Sequence, residues 1–274
     1  FPIDELRWPG VLQRIGICYL AAFAVKRWLG VRAQAALVAG LLVGYWVLIT
    51  QVAGPEGHPP NLEMETNLAA QIDRMVLGPH VWSAAETWDP EGVLSTFPAI
   101  ATTLLGLLCG EWIRSGRGRY PKTLGLLLGG FVLTALGVVW GEAAPAGLLF
   151  PINKSLWTSP FALLTGGLAA ALFGVTYWVV DVVGWKRWAE PFCTYGKNAI
   201  AVYVAAGLLA DTITVIRWPD ATGLPVSLKE RLFDILYASW LPCHAASLAW
   251  ALSIVGLFFL LARAMDRRGI YLKV

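Results

Sequence analysis

Apolar residues run through this chain in long blocks, each near the roughly 20 residues needed to cross the hydrocarbon core of a bilayer. The blocks cover residues 11–25, 33–52, 93–112, 123–140, 161–183, 191–216 and 241–265. Helices this apolar have no polar face to turn to water, so a soluble bundle is excluded and seven candidate spans follow. The first is short, but Trp8, Pro9 and Gly10 before it and Trp28 after it let it reach both interfaces. Many of the 14 tryptophans fall near block ends, among them Trp112, Trp140, Trp157, Trp185 and Trp240, where an amphipathic ring is favoured.

Cations set the expected orientation. Thirteen of the 21 Lys and Arg residues fall in alternate connections: Lys26 to Arg32, Arg114 to Lys122, Lys186 with Arg187, and the C-terminal Arg263 to Lys273. The positive-inside rule places that set, and the C-terminus, in the cytoplasm. Residues 1–9, the loop 53–90, the turn at 150–157 and the connection 217–240 are then external. The basic residues are accounted for by topology, and the net charge of +3 gives no reason to expect a nucleic-acid partner. The chain begins with Phe on the external side, so it reads as the C-terminal part of a longer protein with spans before it. No linker or repeat divides it, and residues 1–274 read as one transmembrane domain, an all-α polytopic bundle of about seven spans.

Two external segments read as short amphipathic helices. In "NLAAQIDRMVLG", Leu68, Ile72, Met75 and Val76 share one helical face; in "SLKERLFDILYASW", Leu228, Leu232, Ile235 and Leu236 do. In "WDPEGVL", Asp89 before Pro90 with Glu91 following has the form of a helix N-cap and first turn. The four cysteines are scattered, and no His pair has ligand spacing, so neither a disulfide framework nor a metal centre is expected.

Ionisable groups within spans are costly and are candidates for function. Arg14 lies one turn into the first block, and Lys197 with Asn198 near the start of the sixth. His244 stands near the external start of the last; His58 and His80 lie in the external loop. The turn "FPINKSLW" sets Asn153, Lys154 and Ser155 between two apolar blocks, on the side where topology calls for no lysine. Such a cluster can bind an anionic or hydroxyl-rich group, or cap the next helix.

Five stretches, "LRWPGVLQRIGICYL", "DPEGVLSTFPAIATTLLGLLCGEW", "FPINKSLWTSPFALLTGG", "PFCTYGKNAIAVYV" and "RRGIYLKV", together resemble the heparan-alpha-glucosaminide N-acetyltransferase family of membrane acyltransferases and its bacterial relatives. The resemblance runs over essentially the whole chain in the right order. It implies acetyl transfer from cytosolic acetyl-CoA to the amino group of a glucosamine-type sugar across a membrane, here the bacterial cytoplasmic membrane. The family's catalytic histidine precedes the first of these stretches, so none of His58, His80 and His244 inherits that role, and this chain alone is expected to be inactive. Asp89, Glu91, Asn153, Lys154 and His244 are assigned to the acceptor side. Arg14 and Asn198 are assigned to the donor, acetyl-CoA. Expected partners are the lipid bilayer and the amino sugar, and a homodimer is compatible with such a bundle. The competing class is a multi-span transporter of a sugar or sugar derivative, which predicts flux without acetyl-CoA consumption.

Overall fold

A computed structural model describes residues 6–219 and 223–272. Phe1 and Lys273, used in the topology reading, and residues 220–222 of the 217–240 connection lie outside the described residues. The chain is mainly helical, with almost no strand, and forms two compact units, Phe1–Gly184 and Trp185–Val274.

The first unit is built from α1 (Val11–Trp28), α2 (Val31–Gln51), the short α3 (Leu68–Leu77), α4 (Thr96–Arg114), α5 (Arg119–Val138) and α6 (Ser159–Tyr177). α5 runs on into a π-helical turn at Val139–Ala143, and α6 into another at Trp178–Val182. The second contains α7 (Glu190–Lys197), α8 (Ala199–Val215), α9 (Leu228–Phe233) and α10 (Cys243–Arg267). A two-stranded ribbon, β1 (Arg217–Pro219) against β2 (Pro225–Ser227), is antiparallel with Trp218 opposite Val226. α9 opens on a capping box in which Ser227 Oγ accepts from Glu230 N, and the Glu230 carboxylate accepts from Ser227 N.

Among the described residues, five helices are long and apolar enough to cross a membrane: α2, α4, α5, α6 and α10, with π extensions counted for α5 and α6. α7 and α8, bent by 71° at Asn198, make a sixth when taken as one broken span. The first block, α1, falls short because its 18 residues carry Arg14, Lys26 and Arg27. It is nonetheless clad in exposed apolar side chains, including Ile15, Tyr19, Leu20 and Phe23. The abundance of such outward-facing residues on every long helix is what a lipid-facing bundle shows.

In the first unit α1 and α4 run in the same direction. Arg14 meets Ser95 at one end, and Lys26 pairs with Glu111 at the other. The end that carries residues 53–90 is called the loop end below. The opposite end carries Lys26, Arg114, Arg117 and Lys122, with Arg117 Cζ 4.2 Å from the Trp112 ring and Trp112 Nε1 donating to Lys122 O. Buried Val38, Leu42, Ala101, Leu104, Ala162 and Leu163 form the central core.

α5 and α6 pack closely, because glycine removes side-chain bulk where their backbones cross. A Cβ on Gly130 would lie 2.6 Å from Ala171 N, and one on Gly167 would lie 2.5 Å from Thr134 N. Contacts at that distance are with backbone, which cannot step aside, so the crossing depends on small residues as membrane helix pairs do.

Gly167→Val is expected to lower the melting temperature of the detergent-solubilised protein by about 3–8 °C, an overpacking cost of roughly 1–3 kcal/mol. Gly129→Val, on the same helix as Gly130 but facing open space, is the control and should move it by no more than about 2 °C. Equal effects of the two would remove the crossing as the cause.

Candidate functional site

At the loop end, backbone hydrogen bonding fixes a knot of charged side chains. α3 starts at Asn67, whose Oδ1 accepts from Ala70 N, an N-cap that satisfies a free helix donor. The helix buries Leu68, Ala69 and Ala70, with Leu68 and the half-buried Ile72 packed near Tyr45 and Ile49 of α2. Its buried face also takes in Gln71 and Asp73, whereas Met75 and Val76, expected on that face, are exposed. The polar pair displaces them because both side chains have backbone partners inside. Gln71 accepts from Glu56 N at 2.9 Å and donates to Thr66 O at 2.6 Å. Asp73 accepts from Val93 N at 2.8 Å and from Asp89 N at 3.3 Å.

These bonds account for a correction to the sequence reading of "WDPEGVL". The expected helix does not begin at Asp89 and Pro90; α4 begins at Thr96, after Ser95. Residues 89–95 are instead a run of turns, with Gly92 N donating to Asp89 O and Asp89 Oδ1 accepting from Glu91 N. Their amides are directed to Asp73, which helical geometry would not allow. Gly92 is required there, since a Cβ would lie 2.0 Å from Asp73 Oδ2. Asp89 is 3% exposed and cannot serve as an open acceptor ligand: Arg7 Nε and Nη2 donate to its two oxygens at 2.8 and 2.6 Å. Arg7 Nη2 also reaches Glu91 Oε2 at 2.5 Å. The guanidinium of Arg7 is held above its usual range, chiefly by the hydrogen bonds it donates to Asp89. Glu91 is half-buried and borders a cavity of about 430 Å³ with Trp8, Gln13, Arg14 and Thr96. Trp8 stacks on His80 at 3.9 Å, and a His80 ring nitrogen meets Leu6 O at 2.8 Å.

Arg14 is 5% exposed. Its Nη2 donates to Ser95 Oγ, and its Cζ lies 5.2 Å from the Trp157 ring centroid. Nε and Nη1 are buried without an acceptor among the described residues.

The turn "FPINKSLW" is wedged between helices. Phe150 is fully buried, Asn153 Oδ1 accepts from Ser155 N and Leu156 N, and Thr158 Oγ1 accepts from Asn153 N and donates to Pro151 O. Tyr45 Oη donates to Leu156 O at 2.6 Å, and Ser159 Oγ to Leu42 O at 2.6 Å, tying the turn to α2. Asn153 therefore spends its side-chain oxygen on its own turn. Lys154 is exposed, and its ammonium has no partner among the described residues. Trp157 has φ of 50°, a left-handed conformation that costs a non-glycine residue about 1–3 kcal/mol. The strain directs its indole so that Nε1 donates to Thr102 Oγ1 at 3.2 Å. There it closes one end of a groove of about 570 Å³ between α4 and α6, lined by Gly106, Gly110, Thr165 and Gly166.

The second unit holds the other two candidates. Asn198 is fully buried at the α7–α8 bend; its Nδ2 donates to Ile270 O and its Oδ1 accepts from Leu272 N, both at 3.1 Å. It latches the C-terminal segment, and beside it Lys197 pairs with Asp266 at 2.8 Å. His244 is exposed in the first turn of α10.

Within the first unit, the structure thus brings together Arg14, Asp89 and Glu91. Sequence reasoning passed over Arg7, Trp8, Asp73, Ser95 and Trp157. Arg7 and Trp8 had a signal, lying inside "LRWPGVLQRIG"; Asp73 had none, since an acid on a short surface helix is ordinary until its partners are known.

No protein-family model matches the chain. It is 26% identical over 248 residues to heparan-alpha-glucosaminide N-acetyltransferase of Homo sapiens, across 73% of this chain and 37% of that protein. To the protein of the same name from Mus musculus it is 24% identical over 281 residues, across 86% of this chain and 42% of that one. The chain spans about two fifths of the length of these curated relatives, and it is distantly related to that acetyltransferase family.

Asp73 gives the loop end a pH dependence. Burial raises its carboxyl from the usual 3.8 to about 6, against the pull of the Val93 and Asp89 amides. The folded chain keeps this proton to higher pH than the unfolded chain, so folding takes up a proton across the window from 3.8 to about 6. Asp73's contribution to stability therefore falls as pH rises through that window and is constant above it. Melting curves of wild type and Asp73→Asn between pH 4 and 8 should converge, or cross in favour of the variant, up to about pH 6 and run parallel beyond. A wild type that gains on the variant through the window would contradict this.

Proposed function

We propose that the chain is the membrane-embedded part of an acyl-CoA-dependent N-acetyltransferase, carrying acetyl from cytosolic acetyl-CoA to the amino group of a glucosamine-type sugar on the opposite side. The single observation that carries this reading is the distant relationship to heparan-alpha-glucosaminide N-acetyltransferase over most of the chain. The arrangement of the first unit supports it. Taking the basic end as cytoplasmic, as the positive-inside rule directs, the loop end faces the acceptor. The two openings of this unit then have different chemistry. The groove between α4 and α6 is glycine-lined and largely apolar, suited to the thin, unbranched arm of an acyl thioester. The cations Arg117, Arg119 and Lys122 at the basic end suit the phosphates of coenzyme A, for which point charges and guanidinium forks are the usual partners.

The cavity at the loop end suits a hydroxyl-rich amine. Glu91 offers a carboxylate to an ammonium, Gln13 an amide that both donates and accepts, and Trp8 an indole face against which the apolar side of a sugar ring can lie. On this reading Asp89 acts through Arg7, holding the guanidinium that in turn orients Glu91. Asn153 shapes the turn that presents Lys154. The membrane in question is proposed to be the bacterial cytoplasmic membrane, with the C-terminus inside.

The test uses the complete natural protein in detergent, with acetyl-CoA and glucosamine, following thiol release and N-acetylglucosamine together. Stoichiometric formation of both supports the reading. A folded protein that forms neither, yet moves glucosamine into liposomes, would establish the transporter instead. Lys154→Ala is expected to raise the KM for glucosamine several-fold with little change in kcat, the pattern of lost uniform binding; unchanged kinetics would remove Lys154 from the acceptor site.

A further inference from the structure

A guanidinium is among the most costly groups to bury without partners, since each unsatisfied buried donor forfeits about 1–3 kcal/mol or more. Arg14 is the one residue of the described first unit with two such atoms, Nε and Nη1. The remaining nitrogen, Nη2, holds Ser95 Oγ, which itself lies near Gly92 O and Pro90 O, so the side chain is anchored and not adrift. The nearest acids are committed elsewhere: Asp89 to Arg7, Asp73 to the Val93 and Asp89 amides, and Glu91 to Arg7. Ordinary structural arginines at such a depth are paired, and Arg14 is fixed with part of its hydrogen-bonding capacity unused.

Its position is equally specific. Arg14 borders the loop-end cavity on one side. Its guanidinium carbon lies 5.2 Å from the ring of Trp157, the strained residue that closes the α4–α6 groove. It therefore stands where the two openings approach one another. A fixed cation with free N–H groups at a shielded point between two substrates is the arrangement that stabilises negative charge appearing only during reaction.

We propose that Arg14 is the oxyanion-binding residue of the transfer, donating to the acyl carbonyl oxygen as the amine attacks. This rests on the transferase reading and goes beyond it by assigning the charge-stabilising group. In the step, the lone pair of the neutral sugar amine forms a C–N bond to the thioester carbonyl carbon, and the carbonyl π pair moves to oxygen, which carries the negative charge Arg14 meets. Collapse restores the C=O bond and breaks the C–S bond. The nitrogen gives up one proton and the departing thiolate takes one up, so that amine and acyl thioester become amide and free thiol. Glu91 would hold the amine and the Trp8 ring the sugar face.

The experiment compares wild type with Arg14→Lys and Arg14→Ala in the complete natural protein, with acetyl-CoA and glucosamine as probes. Arg14→Ala is expected to lower kcat by about 100-fold or more, and Arg14→Lys by about tenfold, with both KM values nearly unchanged. Arg14→Lys keeps a cation within reach of Ser95, so it serves as the measured variant if the alanine form does not fold. Methylguanidinium added to Arg14→Ala should restore part of the lost turnover, which a merely structural role would not predict. A folded Arg14→Lys with wild-type kcat overturns the proposal, as does a loss confined to the KM for acetyl-CoA, which would make Arg14 a donor-binding residue. A folded wild type that releases no thiol overturns the transferase reading itself, so the two failures are told apart.

Discussion

Hydrocarbon offers no hydrogen-bond partner, and that constraint governs where every polar group of this chain can go. Long helices satisfy their own amides, which leaves apolar side chains to face outward along α2, α4, α5, α6 and α10. Irregular backbone is then confined to helix ends, where it must be satisfied by side chains from within the protein. The turn at 150–158 meets that demand with Asn153 and Thr158, and Tyr45 closes it from α2. The turns at 89–95 meet it with Asp73. Each device fixes a piece of non-helical chain against a rigid helix.

The same constraint concentrates chemistry at the loop end. Once Asp73 accepts from the Val93 and Asp89 amides and Asp89 pairs with Arg7, residues 89–93 are held in place against α3. Glu91 is carried into the wall of the cavity by the same knot. Arg14, with two unpartnered nitrogens, departs furthest from full satisfaction among the described residues of the first unit, and it lies beside Trp157, whose backbone is itself strained. Strain and unmet hydrogen-bonding capacity in adjacent residues mark a place where structure has been set by something other than stability.

The apolar blocks made the helices legible to within a few residues, because a bilayer-length run of hydrophobic side chains permits little else. The exceptions have physical causes. The block at 11–25 becomes a helix of 18 residues whose three cations keep it from qualifying as a span on composition alone. The block at 191–216 breaks by 71° at Asn198, because that side chain is turned to the C-terminal segment. Asp89 and Pro90 have the local chemistry of a helix start, but Asp73, sixteen residues earlier, competes for the same amides and wins. On α3, periodicity grouped Met75 and Val76 on one face with Leu68 and Ile72; the buried side instead takes in Gln71 and Asp73, whose side chains meet backbone donors and acceptors there, and Met75 and Val76 are exposed.

Of the candidate residues, Arg14, Asp89, Glu91, Asn153 and Asn198 were visible as polar groups in costly places, and that much followed from sequence. Sequence could say that burying them needs a reason, because desolvation of a charge or amide is expensive whatever the fold. It could not say which of them had already found a partner. Asp89 is met by Arg7, 82 residues away; Asn198 by Leu272, 74 away; Asn153 by its own turn; and Arg14 only in part. Partnership is a matter of distances between segments remote in the chain. The mainly helical, membrane-type architecture was therefore fixed by hydrophobic blocks alone, while the distinction between polar groups that hold the protein together and those left partly unsatisfied, Arg14 foremost, was decided only by tertiary packing.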